Sequence, residues 1–287
     1  MPRPTRTVAD PTHPGERLQK KLAEIGIGSR RDMEALIEAG RASINGQVVT
    51  LGAKVRPGDR VRVDGHEVRI SWQAKLPRVL IYHKPEGEIV SRDDPEGRAS
   101  VFESLPSARG QRWISVGRLD INTEGLLIFT TSGELANHLM HPRYEMEREY
   151  AVRVRGELTP AQMKQLTTGV ELDDGMAKAE SVYLYGGAEE GVNRWYRLVV
   201  MEGRNREVRR LIEAMGLEVS RLIRVRFGPV SMPARLKRGQ VGELTEPEVA
   251  QLLEACGLVK PRPPKPAGRS GGRTSVNRGV SGASSRR

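Results

Sequence analysis

The sequence predicts an α+β protein with a small N-terminal domain and a larger domain built on a mixed or antiparallel sheet. Helical and strand-like patterns follow one another without the strict alternation of parallel βαβ units. A chain of 287 residues is long enough for about two domains. Residues 261–287 carry seven basic and no acidic side chains, whereas residues 76–260 are nearly neutral. A folded body with basic appendages is typical of proteins that hold a polyanion.

Several classes of protein are excluded by composition. Every apolar run is far shorter than the roughly 18 residues of a membrane span, and no apolar stretch follows the N-terminus as in a secretory signal. Cys256 is the one cysteine, so a disulfide or thiolate zinc site within the chain is not expected. His138 and His141 lack a neighbouring carboxylate and fit a helix end better than a metal site. We expect a cytoplasmic protein without metal or cofactor.

The first unit, residues 15–75, predicts two short helices and a small sheet. Apolar residues recur at helical spacing in residues 18–25. Ser29 with Asp32 has the form of a capping box that opens a second helix. Asn45-Gly46 is a strong hairpin signal, and alternating valines follow a Pro-Gly-Asp turn. Together these patterns indicate a compact α+β unit.

The second unit, residues 78–257, predicts strands with helices between them. The strand-like runs are residues 79–82, 113–116, 126–130, 150–154, 181–185 and 195–201. The helical patterns are residues 133–140, 160–166, 206–215 and 246–255. Residues 1–14 and 261–287 have little to bury and are predicted to be disordered.

Basic side chains in the first unit form a candidate RNA site. Arg30 and Arg31 directly follow the expected N-cap serine. A helix N-terminus disfavours cations, but its free N–H groups attract anions. Two arginines there describe a phosphate site, although two solvated surface arginines would give the same pattern. Arg17, Lys20 and Lys21 on the first helix favour the RNA interpretation.

The first unit resembles the S4 domain, a small RNA-binding module. Glycines, a Ser-Arg-Arg step and an Asn-Gly turn fall in register over about residues 15–73. The matching positions are Arg17-Leu18, Gly26, Ser29-Arg30-Arg31, Gly40-Arg41, Asn45-Gly46 and Pro57-Gly58-Asp59. The resemblance implies that structured RNA is recognised by shape and phosphate contacts.

The most informative stretch of the second unit is residues 117–128, Gly-Arg-Leu-Asp-Ile-Asn-Thr-Glu-Gly-Leu-Leu-Ile. A strand runs into the Gly-Arg-Leu-Asp corner, crosses a polar loop and continues as a second strand at Leu126. Asp120 is therefore expected in a loop between two buried strands, where catalytic groups are often held. Taken alone, an aspartate at a strand end is more often a simple turn former.

This stretch closely resembles the signature of the pseudouridine synthases of the RsuA type. Four further segments fall in the order of that family, namely residues 83–87, 141–142, 148–150 and 202–210. The resemblance covers about residues 15–245, with small departures in turns such as Ser132. It implies that a uridine in RNA is isomerised to pseudouridine, a reaction that needs no electrons, phosphate or metal.

The resemblance also implies roles for individual side chains. Asp120 is the ionised carboxylate, which attacks the sugar, attacks the base or removes a sugar proton. Arg209 is its cationic partner, because a nearby cation keeps a carboxylate ionised; the alternative is a surface pair with Glu213. Tyr150 stacks on the flipped base and serves in proton transfer at C5, or is simply a core residue. Arg118 contacts a substrate phosphate or fills the gap left by the base.

The basic flanks resemble those of family members that act on large-subunit ribosomal RNA. We therefore expect a uridine in a 23S rRNA stem-loop as the target, with Arg204 and Arg206 among the RNA contacts. The substrate is naked rRNA or a pre-ribosomal particle, and a monomer is expected. Small-subunit enzymes share the catalytic motifs and stay an alternative. A non-catalytic ribosome assembly factor is the rival from another class, against which the intact set of Asp120, Tyr150 and Arg209 argues.

Overall fold

The computed structural model describes residues 12–72, 76–186 and 192–258. The strands are β1 (Glu16–Arg17), β2 (Ala42–Ile44), β3 (Gln47–Val48), β4 (Lys54–Val55), β5 (Val61–Val63), β6 (His66–Val68), β7 (Val79–Lys84), β8 (Ile114–Val116), β9 (Glu124–Thr130), β10 (Arg148–Arg155), β11 (Val170–Leu172), β12 (Gly175–Ala177), β13 (Ser181–Gly186), β14 (Asn193–Val200), β15 (Glu218–Phe227), β16 (Val230–Ser231) and β17 (Val241–Glu243). The α-helices are α1 (Leu18–Glu24), α2 (Arg30–Glu38), α3 (Gly133–Met140), α4 (Pro160–Thr168), α5 (Glu207–Glu213) and α6 (Glu246–Ala255). Short 3-10 helices cover Val101–Ser104 and Pro142–Tyr144.

Both termini fall largely outside the described residues. The segments predicted to be disordered, residues 1–14 and 261–287, lie there except for residues 12–14. No helix within the three described ranges is long and apolar enough to cross a membrane.

The N-terminal unit packs α1 and α2 against a four-stranded sheet of order β3-β2-β5-β6. Its core contains the fully buried Leu18 and Leu22 of α1. The predicted capping box is confirmed, because the Ser29 hydroxyl accepts from the Asp32 N–H at 3.1 Å and the Asp32 carboxylate accepts from the Ser29 N–H at 2.6 Å. This box fixes where α2 begins and so where Arg30 lies.

The larger unit is built on one mixed sheet, which confirms the predicted α+β class. Its strand order is β13-β14-β10-β15-β9-β7-β17, with β16 beside β15 and β8 beside β9. β9 and β15 run parallel, and the other strand pairs described in this sheet are antiparallel. The parallel pair lies at the centre and brings the start of β9 against the middle of β15.

Hydrophobic residues cover both faces of this sheet. In β9, Leu127 and Phe129 point into one core, whereas Leu126 and Ile128 point into the other. This is the alternation that a strand imposes on its side chains. The first core also holds α4, α5 and the inward side chains of β10, and the second holds α3 and α6. β9 is therefore buried along its whole length.

β15, the ten-residue strand at the centre of the sheet, is not among the strands predicted from the sequence. Arg221, Arg224 and Arg226 interrupt its apolar pattern, so residues 218–227 do not have the composition of a buried strand. In the structure Arg224 is nevertheless buried and only 2% exposed.

Candidate active site

A cleft of about 920 Å³ lies where the β8–β9 loop meets β10, β15 and the start of α5. Its wall includes Asp120 and Tyr150, the predicted carboxylate and tyrosine. The charged residues of the wall are six arginines and four carboxylates, namely Arg98, Arg118, Arg148, Arg204, Arg206, Arg224, Asp93, Asp94, Asp120 and Glu207. A cleft with more arginines than carboxylates attracts a polyanion, because the positive electrostatic potential is focused inside the cleft.

The loop from β8 to β9 presents Asp120 to this cleft. β8 ends at Val116, and Gly117 turns the chain with φ +74°, a conformation that glycine adopts without strain. The buried Leu119 then anchors the loop in the core. The Thr123 N–H donates to the Asp120 carbonyl at 3.0 Å and closes the turn. Asp120 itself is half-buried, so its carboxylate is held by the scaffold and still faces the cleft.

Lys84, at the end of β7, fixes the same loop from the inside. Its side chain is fully buried. The ammonium donates to three main-chain carbonyls, those of Pro85 at 2.8 Å, Thr123 at 3.0 Å and Ile121 at 3.3 Å. A buried cation that bonds only to the main chain acts here as a positioning residue for the Asp120 loop.

We predict a pH signature for Lys84 in folding. Burial lowers the pKa of Lys84 from 10.5 to about 8, and the charges of Glu88 and Asp120 act in the opposite direction. Between about pH 8 and 10.5 the unfolded chain therefore binds more protons, so the free energy of unfolding contributed by this group rises with pH. Urea unfolding of the wild type and of Lys84→Met from pH 7 to 10 measures this difference. A difference between the two proteins that is constant over this range would contradict the prediction.

Arg209 ties the loop to β15. Its side chain is buried, at 8% exposure, and donates to the Asn122 carbonyl at 2.7 Å and the Val219 carbonyl at 3.2 Å. Burial and the charge of Arg206 lower the pKa of Arg209, and the charge of Asp120 acts in the opposite direction. The charges of Arg209 and Asp120 are therefore close enough to interact.

Arg209, which was expected to pair with Asp120, interacts with it in the structure only through charge. Within the described residues, the Asp120 carboxylate makes no hydrogen bond or ion pair with Arg209, and Arg209 does not line the cleft. The surface pair with Glu213 is instead made by Arg206, at 3.9 Å. A direct Asp120–Arg209 bond in the complex with RNA stays a prediction.

Tyr150 lies on β10 at the floor of the cleft. Its cross-strand neighbours are Leu198 on β14 and Arg224 on β15. The side chain is 8% exposed, belongs to the first hydrophobic core and also lines the cleft. Both roles considered for Tyr150, core residue and stacking surface, are therefore compatible with its position.

Gly125, in the signature stretch, is required by the approach of β9 to β15. Its φ is +105°, and a Cβ at this position would lie 2.2 Å from the Arg224 carbonyl oxygen. Any side chain here would push β9 away from β15. The glycine thus maintains the distance between the Asp120 loop and the strand that carries Arg224.

The predicted RNA-binding residues fall into two groups. Arg118, Arg204 and Arg206 line the cleft, and Arg118 and Arg206 are exposed there. Arg204 is held by the Glu202 carboxylate at 2.5 Å and by main-chain carbonyls of the β11–β12 hairpin. The structure therefore brings these three arginines together with Asp120 and Tyr150.

The second group lies on the N-terminal unit, apart from the cleft wall. Arg17, Lys20 and Arg30 line a depression of about 220 Å³. Lys20 and Lys21 are paired with Glu16, at 2.6 Å and 2.9 Å. Within the described part of the chain, Arg17, Arg30 and Arg31 make no ion pair, so these three are the cations available to a phosphate.

Seven charged residues at the site carried no role in the sequence analysis, namely Lys84, Asp93, Asp94, Arg98, Arg148, Glu207 and Arg224. Lys84, Arg148 and Glu207 lie in segments that resembled the family, which was a usable signal. Burial raises the pKa of Glu207, whose carboxylate accepts from the Arg204 N–H at 3.3 Å at the start of α5. Arg224 lies on β15, which is not predicted from the sequence.

In the described ranges, no three metal-ligating side chains come together.

Comparison with known proteins agrees with this division of the chain. The sequence profile of RNA pseudouridylate synthases matches residues 78–214, and that of the S4 domain matches residues 16–61. The chain belongs to the RNA pseudouridylate synthase family. A solved pseudouridylate synthase superposes with a TM-score of 0.56 at 24% identity, covering 82% of this chain and 99% of that one, and shares the fold.

Three curated relatives, each identical to this chain at more than half of the aligned positions, carry the same name. The chain is 57% identical over 245 residues to ribosomal large subunit pseudouridine synthase B of Pseudomonas aeruginosa, covering 85% of this chain and 63% of that relative. It is 54% identical over 248 residues to the protein of the same name from Salmonella typhimurium, covering 85% and 84%. The Escherichia coli K12 protein is 53% identical over 246 residues, with the same coverage. The chain thus spans less than two thirds of the first relative and most of the other two.

Proposed function

We propose that this protein isomerises a uridine to pseudouridine in large-subunit (23S) ribosomal RNA. The observation that carries the proposal is the half-buried Asp120 in an arginine-rich cleft, beside Tyr150 and on a loop fixed by Lys84 and Arg209. The relatives that share more than half of the sequence are named as large-subunit enzymes, which supports the choice of RNA.

The cleft supplies what the reaction needs. The target uridine leaves its stack, which costs a few kcal/mol and least in a loop, and the exposed Arg118 and Arg206 are placed to attract its phosphates. Asp120 then attacks the sugar, attacks the base or removes a sugar proton. The N1–C1′ bond breaks, the base turns, C5 bonds to C1′, C5 loses its proton and N1 gains one. Tyr150 is the wall residue on which the base stacks.

The proposed domain organisation follows from separate cores. The buried residues of α1, α2 and β5 form their own cluster, distinct from the two clusters of the large sheet. We assign residues 15–75 to an S4 domain that grips a stem-loop and residues 78–257 to the catalytic domain. We propose a monomer that acts on rRNA or a pre-ribosomal particle in the cytoplasm.

The direct test uses purified protein and transcripts of large-subunit and small-subunit rRNA. Pseudouridine is mapped in both RNAs after incubation with and without the protein. We expect a new pseudouridine in a stem-loop of the large-subunit transcript. Modification of the small-subunit transcript instead would overturn the choice of RNA. Binding without any modification would favour an assembly factor and contradict the proposal.

Deletion of residues 261–287 tests the role proposed for the basic tail. Each phosphate neutralised on single-stranded nucleic acid adds about 0.7 to the slope of log affinity against log salt. The seven basic residues of the tail would thus add a slope of roughly 5 as an upper bound, and we expect about half of it. Affinity at several salt concentrations and the single-turnover rate at saturating protein measure binding and chemistry separately. An unchanged slope would show that the tail does not touch RNA, and a collapsed rate would show that the catalytic domain extends beyond residue 257.

A further inference from the structure

The half-buried Arg148 and the buried Arg224 lie next to Tyr150 at the floor of the cleft. Arg148 donates to the main-chain carbonyls of Met146 at 2.9 Å and Met201 at 2.5 Å. Its guanidinium lies 4.9 Å from the centre of the Phe227 ring, and that of Arg224 lies 5.0 Å from the same ring. Within the described ranges neither arginine forms an ion pair. Burial and the charge of Arg224 lower the pKa of Arg148, whereas Tyr150 and the charge of Glu207 act in the opposite direction.

Arg224 is the more unusual of the two. It is 2% exposed and lies directly opposite Tyr150 in the β10–β15 register. Its Nε donates to the Leu126 carbonyl at 2.8 Å, which fixes the guanidinium. Burial lowers the pKa of Arg224, and a side-chain interaction with Tyr150 acts in the opposite direction. Nη2, however, has no hydrogen-bond partner among the described residues. The residue also lines the cleft. A buried donor without a partner destabilises the fold, because its hydrogen bond to water is lost and not replaced, and an unpaired buried charge destabilises it more.

Folding alone gives no reason for such an arrangement. Buried polar groups in native proteins are almost always paired, so an orphan donor at a cleft points to a missing acceptor. Two guanidinium groups without an ion pair lie against the same Phe227 ring, which favours an acceptor that carries or develops negative charge. The substrate is the natural candidate, and the reaction specifies where its charge develops.

The base becomes negative during the proposed reaction. When the N1–C1′ bond breaks, its electron pair stays with the uracil and spreads over N1 and the carbonyl oxygens O2 and O4. A fixed donor that is itself shielded from water is worth far more at this stage than before it. Arg224 meets that requirement, because its Nε bond to Leu126 and its burial hold the free Nη2 in place.

We propose that Arg224 is a further catalytic residue, whose unpaired Nη2 donates to a carbonyl oxygen of the flipped uracil and stabilises the charge on the departing base. This inference rests on the proposed function. A phosphate of the target nucleotide would offer the same chemistry as an acceptor. The position favours the base, since Arg224 is buried beside Tyr150 whereas Arg118 and Arg206 are the exposed cations of the cleft.

The test is Arg224→Met, studied in the full chain with large-subunit rRNA. We expect the single-turnover rate at saturating protein to fall about 10²- to 10³-fold, with RNA affinity and its salt slope unchanged. Stability should be equal or higher, because replacing an unpaired buried charge by an apolar side chain of similar length is often neutral or stabilising. Arg224→Lys keeps the charge without the fixed fork and should give an intermediate rate.

The matched control is Arg226→Met, two residues further along β15. Arg226 pairs with Glu147 at 2.7 Å and Glu149 at 3.0 Å, away from the cleft wall. This variant should lose some stability and keep its rate. The control therefore separates damage to β15 from loss of a catalytic donor.

Each outcome decides between the explanations. A wild-type protein that makes no pseudouridine would refute the proposed function itself. An active wild type with an equally fast Arg224→Met variant would overturn only the role of Arg224. Weaker binding with a salt slope reduced by about 0.7 and a normal saturated rate would identify a phosphate contact and also overturn it. If Arg224→Met does not fold, a stably folded Arg224→Lys with the wild-type rate would overturn the proposal, and one with a lowered rate would support it.

Discussion

Asp120→Asn is expected to abolish pseudouridine formation while RNA binding is retained. Asparagine keeps the size of the side chain, but it can act neither as a nucleophile nor as a base. The loop should keep its shape, because it is fixed through main-chain atoms that bond to Lys84 and Arg209. We expect a loss of about 10⁴-fold or more in the single-turnover rate, the size typical of removing a reacting group.

Rate and affinity must be measured separately for Asp120→Asn. Release of tritium from C5-labelled uridine in RNA reports the chemistry, and filter binding reports the affinity. Asp173→Asn is the matched control, since it makes the same change at an exposed position in the turn of the β11–β12 hairpin. It should behave as the wild type. A comparable rate for Asp120→Asn and the wild type would show that another group performs the reaction.

Arg209→Met is expected to slow the reaction about 10²- to 10³-fold. The variant loses two bonds, to the carbonyls of Asn122 and Val219, that hold the Asp120 loop against β15. It also removes a positive charge that favours the ionised form of Asp120. The acid limb of the rate profile should therefore move to higher pH.

A pH–rate profile from about pH 5 to 9 measures both effects of Arg209→Met. Arg210→Met is the control, because Arg210 is the next residue of α5 and pairs with Asp174 at 2.8 Å instead of facing the loop. It should leave the profile unchanged. If Arg209→Met is slower but its acid limb is not shifted, Arg209 holds the loop in place, and the proposed effect of its charge on Asp120 is refuted.

Local patterns predicted most of the fold. The capping box at Ser29 and the bounds of α3 and α6 are as expected, because caps and apolar spacing are local properties. Asp120 and Tyr150 could be singled out because the signature stretches carry them. The structure then places both on one cleft, although no local rule links residues that are thirty positions apart.

The missed features depend on contacts between distant segments. β15 was missed because its arginines break the apolar pattern, and nothing local shows that Arg224 is the one that points inward. Arg209 donates to main-chain carbonyls, which every residue carries, so the sequence does not show which residues accept these bonds. The need for glycine at position 125 follows from the parallel pairing of β9 with β15, which no local pattern indicates.

Mapping of pseudouridines in ribosomal RNA from cells that lack this gene tests the central claim most directly. The cells are complemented with the wild type, with Asp120→Asn or with an empty vector, and both ribosomal subunits are mapped. We predict that one pseudouridine of the large-subunit RNA disappears without the gene, returns with the wild type and does not return with Asp120→Asn. Identical maps in all three strains, or a site restored by Asp120→Asn, would contradict the account.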